Sequence, residues 1–415
     1  MKLVQSKELT LLQLYHTSGE VSTTVTLPSS KSESNRALII AALCKESCQL
    51  ENLSQARDTQ TMQRLLNTTE EVLDVLDAGT TMRFLTAYCA VTNRQCVLTG
   101  TERMQERPIG ILVDALREIG AHITYEKKEG FPPVRIHGFT PCKNQVNLRG
   151  DVSSQYISAL LMVAPIIPNG LRLKLIGKVN SRPYIEMTLQ LMQRFGVEAY
   201  WEENEIYVPQ QSYRPAKYTV ESDWSAASYW FSIAALSKQA RICLQGLKPD
   251  SLQGDRVITD IMRPLGVTSK FTAEGLELTK STTAECFEWD FSHCPDLAQT
   301  VAVVGAAKGI PMKLIGLESL RIKETDRIAA LQSELAALGV PTEENNNTLY
   351  IYPRGITPLQ PPPRPIHTYQ DHRMAMAFAP VSLLFPLQIE HPQVVEKSYP
   401  HFWEDLEAAG FTIFR

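Results

Sequence analysis

The sequence lacks the short motifs that would assign it to a nucleotide or a metal. It has no Gly-x-x-x-x-Gly-Lys loop, no Gly-x-Gly-x-x-Gly fingerprint, no His-Glu-x-x-His and no Cys-x-x-Cys pair. His293, His372 and His401 do not have the spacing of metal ligands. We therefore expect no metal and no cofactor.

Excess charge, paired cysteines and long apolar runs are missing as well. The net charge of −4 gives no general attraction to nucleic acid or anionic membranes. The eight cysteines are scattered, and a chain of 415 residues does not need disulfides, so a reducing cytoplasm is expected. The apolar run at 374–387 is broken by two prolines and is shorter than the roughly 20 residues of a membrane span. We expect a cytoplasmic monomer with neither nucleic-acid nor membrane partners.

The chain contains an internal repeat of about 70 residues. One helix type ends at a glycine and leads into short alternating strands, at Gly120, Gly196, Gly266, Gly339 and Gly410. A second helix type begins with a small or acidic polar residue, near Ser32, Gly79, Ser153, Ser225, Asp296 and Asp371. This predicts six α/β repeats, the first of which has lost most of a hairpin between Thr61 and Asp77.

The starts of the second helix type also carry most of the chemically useful side chains. Helix N-termini attract anions, because their free N–H groups and the helix dipole present positive charge. Lys31 and Arg36 lie at the first start, Gly79 at the second, and Ser153 to Gln155 at the third. Serine and aspartate are also ordinary N-caps, which explains each start singly but not the clustering.

The heptapeptide Arg321–Arg327 opens a helix of the first type and is rich in charged side chains. Spacing of three and four residues would put Lys323, Glu324 and Arg327 on one helix face, where they could hold an anion and move a proton. A solvated, salt-bridged helix start is the alternative that this stretch leaves open.

Taken together, the segments resemble the 5-enolpyruvylshikimate-3-phosphate synthase family. The matching stretches, in the family's order, are Lys31–Arg36, Gly79–Arg83, Arg107–Gly110, Gly150–Gln155, Ser181–Tyr184, Lys323–Arg327, Asp371–Met374 and Lys397. The resemblance implies an α/β fold of two globular domains, each with three βαβαββ-type repeats around a pseudo-threefold axis. The expected domains are 28–222 and 1–27 with 223–415, and the active site would lie in the cleft between them.

The resemblance also implies a reaction and its residues. The enolpyruvyl group of phosphoenolpyruvate would pass to the 5-hydroxyl of shikimate 3-phosphate, releasing phosphate, in aromatic amino acid biosynthesis, and glyphosate would inhibit. Asp296 as base, Glu324 as acid and Lys31 would be catalytic. Shikimate 3-phosphate would contact Lys31, Ser32, Arg36, Ser153, Ser154, Gln155, Ser181, Tyr184, Asp296, Ser319 and Lys323. Phosphoenolpyruvate would contact Lys31, Gly79, Arg107, Gln155, Arg327, Arg373 and Lys397.

Charge counting supports such a substrate pair independently. Two phosphates and two carboxylates bring roughly −5 to −6. Seven clustered cations can meet this charge in a chain of net −4, namely Lys31, Arg36, Arg107, Lys323, Arg327, Arg373 and Lys397. The same cations create a conflict for Glu324, since Lys323 and Arg327 would lower its pKa and disfavour the acid form.

The chain departs from the family pattern at three positions and in its shortened first repeat. Asp77 and Ser319 stand where asparagine is typical, and Phe84 where many members have proline. Two alternatives are a transferase that adds enolpyruvyl to UDP-N-acetylglucosamine and a non-catalytic repeat scaffold that binds phosphate. The first should carry a cysteine in the loop before Arg107, where Met104-Gln105-Glu106 offers none. The second would not need Asp296 or Glu324.

Overall fold

Short strands and helices alternate along the chain, in a computed structural model that describes residues 11–352 and 359–415. Residues 1–10 of the predicted second domain lie outside the described residues. The strands are β1 Leu11–Tyr15, β2 Glu20–Thr26, β3 Gln49–Glu51, β4 Val72–Asp74, β5 Cys96–Thr99, β6 Ala121–Tyr125, β7 Val134–Phe139, β8 Gln145–Arg149, β9 Leu171–Ile176, β10 Tyr200–Glu202, β11 Glu205–Val208, β12 Lys217–Thr219, β13 Gln239–Gln245, β14 Leu265–Phe271, β15 Leu276–Thr283, β16 Phe287–Asp290, β17 Met312–Ile315, β18 Thr342–Asn345, β19 Thr348–Ile351, β20 Leu387–Glu390 and β21 Thr412–Phe414. The α-helices are α1 Lys31–Leu43, α2 Arg57–Asn67, α3 Gly79–Val91, α4 Glu102–Gln105, α5 Gly110–Ile119, α6 Ser154–Val163, α7 Arg182–Arg194, α8 Trp224–Leu236, α9 Ile258–Met262, α10 Ala298–Lys308, α11 Arg327–Ala337, α12 His372–Phe378 and α13 Phe402–Ala408.

Within the described residues, four sheets share one topology. Each has two parallel strands, followed in space by an antiparallel hairpin, in the orders β4-β5-β7-β6, β8-β9-β11-β10, β2-β13-β15-β14 and β16-β17-β19-β18. A parallel pair needs a helical crossover, which the polar-started helices supply. The result is the βαβαββ repeat, as the sequence predicts.

The two remaining sheets are variants of the same repeat. In the sheet β20-β1-β21, the place of the first strand is taken by a single parallel bridge between Ile366 and Ile389. The sheet of the first repeat contains only the parallel pair β12 and β3, while α2 and the short β4 occupy the stretch from Thr61 to Asp77. This arrangement is compatible with a shortened first repeat.

The helices that begin with polar residues form the buried centre of each half. α1, α3 and α6 pack on one another, and so do α8, α10 and α12, as three repeats around an axis require. Their N-caps include Ser30, Ser153, Asp223 and Asp371, whose side chains accept backbone N–H groups of the first turn. The predicted glycine stops all have positive φ, from 79° at Gly196 to 118° at Gly120. Gly266 is not a helix stop, however, because α9 ends at Met262 and Gly266 lies inside β14.

The chain divides into two compact units, each with its own hydrophobic core. One unit, here called the 29–222 unit, contains Ser29–Ser222 and Asp250–Gly254, and the other, the 223–415 unit, contains Met1–Pro28, Asp223–Pro249 and Asp255–Arg415. The short piece 250–254 was not assigned to the first domain by sequence. Ser251 donates to Glu221 Oε2 at 2.6 Å and Gln253 Nε2 donates to the Ser222 carbonyl at 2.8 Å, which attaches the piece to that unit. Within the described ranges, no helix is both long enough and apolar enough to cross a membrane.

Candidate active site

Arg327 lies at the centre of a buried cluster in the 223–415 unit. Its guanidinium donates to Asp296 Oδ1 at 3.0 Å, to Glu324 Oε2 at 3.0 Å and to Asp371 Oδ2 at 2.6 Å. The side chain is only 2% exposed. Burial alone would lower the pKa of Arg327, but Asp371, Glu324 and Asp296 outweigh it and raise the pKa above its ordinary value. The arrangement fixes a permanent positive charge between three carboxylates.

Asp296 is shared by three cations. Beside Arg327, Arg373 Nη2 lies 3.1 Å from its Oδ2, and Lys323 Nζ lies 3.6 Å from its Oδ1. Burial favours the protonated acid, yet the three cations prevail and hold the pKa of Asp296 well below its usual range. In this state Asp296 is ionised and a weak base.

Glu324 faces two cations, one from the same stretch and one from a distant part of the chain. Arg327 Nη2 lies 3.0 Å away and Lys397 Nζ 3.8 Å away, and the Lys397 side chain is 1% exposed. Glu324 pairs with Arg327, and Lys323 and Arg327 share Asp296, but the predicted common helical face is wrong. α11 begins only at Arg327, because Asp326 is its N-cap and accepts the backbone N–H groups of two first-turn residues, and Lys323 and Glu324 precede the helix.

Arg373 is positioned by contacts on both sides of its guanidinium. Nη1 donates to the Asp296 carbonyl at 3.2 Å and to the Tyr229 hydroxyl at 3.4 Å, and Nη2 donates to Ser225 Oγ at 3.3 Å. Ser319 lies half-buried in the 3₁₀ turn Glu318–Ile322 that precedes Lys323. Asp296, Ser319, Lys323, Glu324, Arg327, Arg373 and Lys397 therefore belong to one unit.

The remaining predicted residues lie in the 29–222 unit, where Arg107 packs against Gly79. A methyl group on Gly79 would lie 2.8 Å from both Nη1 and Nη2 of Arg107, so glycine is what permits the approach. Arg107 is 7% exposed, and its buried Nε has no hydrogen-bond partner among the described residues. A buried arginine with an unmet donor at a helix start indicates an anion site.

Arg83 and Tyr156 bind backbone carbonyls next to Arg107. Arg83 Nη1 donates to the Gly79 carbonyl at 3.0 Å, and its Nη2 donates to the Pro108 carbonyl at 3.1 Å. The Tyr156 hydroxyl donates to the same Pro108 carbonyl at 2.6 Å. These bonds hold the backbone just after Arg107 and the Gly79 backbone against which Arg107 packs.

The start of α6 presents hydroxyls and an amide. Ser153 caps the helix and accepts the Gln155 N–H at 3.3 Å, and Ser154 is buried. Gln155 Nε2 donates to Thr80 Oγ1 at 3.0 Å, which joins the start of α6 to the start of α3. Two of the predicted binding segments are thus neighbours.

Lys31 and Arg36 differ in what they could offer a ligand. Lys31 is the first residue of α1, and its Nζ lies 3.0 Å from Asp58 Oδ2. Arg36 is 2% exposed, and its donors go to Thr188 Oγ1 at 2.7 Å, to Ser158 Oγ at 3.2 Å and to the Ser32 carbonyl at 2.9 Å. Burial lowers its pKa to about 10. In this state Arg36 joins α1, α6 and α7, so its predicted contact with substrate would need a change of partners.

Ser181 and Tyr184 lie at the start of α7. Ser181 is buried with φ 53°, a left-handed conformation that is uncommon for serine, and its carbonyl accepts the Tyr184 N–H at 3.1 Å. Strained serines at helix starts suit a role in ligand binding. Tyr184 is half-buried.

The family departures have local partners. Asp77 accepts from Arg57 Nη2 with both carboxylate oxygens at 3.1 Å, which offsets the extra charge. Phe84 is fully buried and lies 5.4 Å from the Arg36 guanidinium, a cation–π contact that a proline would not make.

Sequence reasoning missed several residues that position the cluster. Asp371 clamps Arg327, Asp58 holds Lys31, and Asp255 accepts a hydrogen bond from Ser225 beside Arg373. Asp371 sits at a predicted helix start, which was a usable signal. The other pairs join residues about 27 or more positions apart, which spacing cannot reveal.

Comparisons with known proteins identify the family of the chain. The family model for EPSP synthase (3-phosphoshikimate 1-carboxyvinyltransferase) matches residues 15–70 and 62–406. The chain belongs to this family. The resemblance inferred from sequence is therefore confirmed.

Named relatives cover almost the whole chain. The chain is 52% identical over 398 residues to a 3-phosphoshikimate 1-carboxyvinyltransferase of Bacteroides fragilis (strain YCH46), covering 95% of this chain and 97% of the relative. It is 37% identical over 410 residues to that of Cellvibrio japonicus (strain Ueda107), covering 92% and 95%. The EPSP synthase structure from Acinetobacter baumannii has a TM-score of 0.78 at 19% identity, covering 98% of this chain and all of that one, which confirms the fold.

Proposed function

We propose that this protein transfers the enolpyruvyl group of phosphoenolpyruvate to the 5-hydroxyl of shikimate 3-phosphate and releases phosphate, in aromatic amino acid biosynthesis. The observation that carries the proposal is membership of the EPSP synthase family over nearly the full chain. The buried cluster of Arg327, Asp296 and Glu324 adds the groups that acid–base chemistry on an anion requires.

Both units contribute to one reaction in this proposal. The 29–222 unit holds hydroxyls, Lys31 and Arg107, and the 223–415 unit holds the carboxylates and four cations. Neither set alone has both a candidate acid–base pair and the full complement of anion partners. The two sets would therefore act on the same pair of substrates.

The phosphoenolpyruvate contacts follow from the most buried cations. Arg107 with its unmet Nε, Arg373 and Lys397 would bind the phosphate and carboxylate of phosphoenolpyruvate. Arg327 would contribute less, because its guanidinium is already paired with carboxylates of the protein. Shikimate 3-phosphate would use the hydroxyls of Ser153, Ser154 and Ser181, with Lys323 and Gln155.

The chemistry then needs two proton movements. Glu324 would protonate the methylene carbon of phosphoenolpyruvate, and the neighbouring carbon, now electron-poor, would be attacked by the 5-hydroxyl as Asp296 takes its proton. The new C–O bond gives a tetrahedral adduct. The Glu324 carboxylate would then take a proton back from the methyl group as the bond between the neighbouring carbon and the phosphate oxygen breaks, which restores the double bond and releases phosphate.

Substrate charge would correct the weakness of Asp296 as a base. In the ligand-free state Arg373, Lys323 and Arg327 lower its pKa. Two anionic substrates would draw Arg373 and Lys323 into their own contacts and so raise the basicity of Asp296. The sequence predicts that neighbouring cations lower the pKa of Glu324 against its role as an acid. Neighbouring cations likewise lower the pKa of Asp296 against its role as a base.

A phosphate-release assay tests the proposal directly. We expect phosphate from phosphoenolpyruvate only when shikimate 3-phosphate is added, and not with UDP-N-acetylglucosamine in its place. Equal release with the nucleotide sugar would refute the acceptor. No release with either acceptor from folded protein would favour the binding scaffold.

A further inference from the structure

A second buried carboxyl group lies behind Arg373 and has no role in the reaction proposed above. Asp255 belongs to the 3₁₀ turn Gly254–Val257 and is 4% exposed. Carboxylates are almost never buried to this extent without a partner that compensates for lost hydration. Its surroundings therefore indicate what it does.

Ser225 joins Asp255 to Arg373. The Ser225 hydroxyl donates to Asp255 Oδ2, and Arg373 Nη2 donates to Ser225 Oγ at 3.3 Å. A serine hydroxyl has one hydrogen and two lone pairs. Because Asp255 takes the hydrogen, a lone pair of Ser225 is free to face Arg373.

Arg373 carries this orientation to the reacting groups. The nitrogen that meets Ser225 also lies 3.1 Å from Asp296 Oδ2, and Nη1 donates to the Asp296 carbonyl at 3.2 Å. The order of contacts is carboxyl, hydroxyl, guanidinium and candidate base. A change at Asp255 would reach Asp296 without touching substrate.

We propose that Asp255 is a positioning residue, which through Ser225 fixes the direction of Arg373 and so sets both the grip on phosphoenolpyruvate and the place of Asp296. The inference rests on the proposed function. It concerns a residue outside every binding and catalytic set named above.

Protonation of Asp255 would reverse the hydroxyl. With the proton on Oδ2 the carboxyl donates to Ser225, so the Ser225 hydrogen would turn towards Arg373, which has only donors to offer. Burial raises the pKa of Asp255 to about 6, with Asp296 and Asp223 adding and the Ser225 hydrogen bond and Arg373 opposing. The Cys294 thiol also lies close enough to interact with Asp255. The switch therefore falls in an accessible pH range.

The first experiment compares kcat/KM for phosphoenolpyruvate at pH 8 and pH 5.5. A group with a pKa of about 6 is ionised in roughly a quarter of molecules at pH 5.5, so it contributes about a fourfold fall. Substrate phosphates also titrate near pH 6, but equally for all variants. Asp255→Asn keeps an acceptor for Ser225 and cannot titrate. The decrease of kcat/KM from pH 8 to pH 5.5 should therefore be about fourfold smaller in this variant than in the wild type.

Two further variants separate positioning from folding. Ser225→Ala removes the hydroxyl between Asp255 and Arg373, so it should raise KM for phosphoenolpyruvate. It should also lose the fourfold decrease of kcat/KM at pH 5.5. This variant serves as the test if Asp255→Asn does not fold. Asp260→Asn is the matched control, since Asp260 is an exposed residue of the neighbouring α9 that pairs with Arg263 at 3.3 Å. Its pH profile should follow the wild type.

A stability measurement gives a readout that does not need turnover. The folded protein holds the Asp255 proton more tightly than the unfolded chain, so this group favours folding at low pH and the benefit is lost as pH rises towards about 6. The Tm of the wild type relative to Asp255→Asn should fall between pH 4 and pH 7.

Three results would overturn the proposal. One is a pH profile of Asp255→Asn with the wild-type fall, even at lower overall rate, since that means a structural role. Another is a Tm difference that does not vary with pH. The third is a wild-type protein that does not turn over its substrates but shows the pH-dependent Tm difference. That result would refute the proposed function and the role of Asp255 in transfer, although Asp255 would still titrate as described.

Discussion

Replacing Gly79 with alanine would test the phosphoenolpyruvate contacts at a single methyl group. Gly79 is the first residue of α3, so its backbone is helical and alanine fits it without conformational cost. The added carbon would lie 2.8 Å from Nη1 and Nη2 of Arg107 and 3.0 Å from Cζ. Contacts that close are not tolerated, so the guanidinium must move.

The expected magnitude follows from what Arg107 would lose. A hydrogen bond to a charged group contributes about 1.5–3 kcal/mol. Losing one corresponds to a rise of roughly 10- to 150-fold in KM for phosphoenolpyruvate. The affinity for shikimate 3-phosphate, measured by calorimetry, should change little, since its expected hydroxyl partners lie at other helix starts.

A double-mutant cycle identifies the atom through which the methyl group acts. Lysine at position 107 has no planar guanidinium to collide with the new carbon. Gly79→Ala should therefore cost much less in an Arg107→Lys background than in the wild type. An unchanged KM in the single variant, or equal costs in both backgrounds, would refute the argument.

The remaining predictions concern the carboxylates, the inhibitor and the two units. Glu324→Gln and Asp296→Asn should lower kcat by roughly 10²–10⁴ with little loss of substrate affinity, whereas Glu318→Gln, at an exposed residue just upstream, should not; near-normal turnover would remove either residue from its role. Asp371→Ala removes a buried partner of Arg327 and should lower the free energy of unfolding, measured with denaturant, by about 3 kcal/mol. A decrease below about 0.5 kcal/mol would contradict a stabilising role for the pair of Asp371 and Arg327. Glyphosate should compete with phosphoenolpyruvate and inhibit Gly79→Ala less, and non-competitive inhibition would argue against a shared site. Shikimate 3-phosphate should reduce the radius of gyration in small-angle scattering if both units bind it, and an unchanged radius at saturation would speak against that.

The repeat architecture was predictable from sequence because its signals are local. A helix N-cap needs a short polar side chain, and a helix stop with positive φ favours glycine. Ser153 and Asp371 cap their helices, and Gly120 and Gly339 take the expected conformation. These signals recur with each repeat, so their spacing counts the repeats.

The partners of the charged residues were not predictable, because they depend on which helices touch. Arg36 looked like a free phosphate ligand at a helix start, but α6 and α7 bring Ser158 and Thr188 to its donors. The same applies to Asp58, which reaches Lys31 from α2. The sequence shows where charged residues lie along the chain. Tertiary packing decides which of these residues remain available to a ligand.

The stretch before α11 shows why the error about its helical face matters for the chemistry. Lys323 and Glu324 were expected within a helix, where hydrogen bonds fix the backbone. They lie instead between a 3₁₀ turn that ends at Ile322 and the N-cap Asp326. A proton donor must approach a carbon atom and withdraw again, and residues outside regular structure can do so without breaking a helix. Arg327, which must stay still, is the first residue inside the helix and is held by Asp371 at 2.6 Å. The chain thus places its candidate acid outside the helix, before the cap, and the charge that holds it inside the helix.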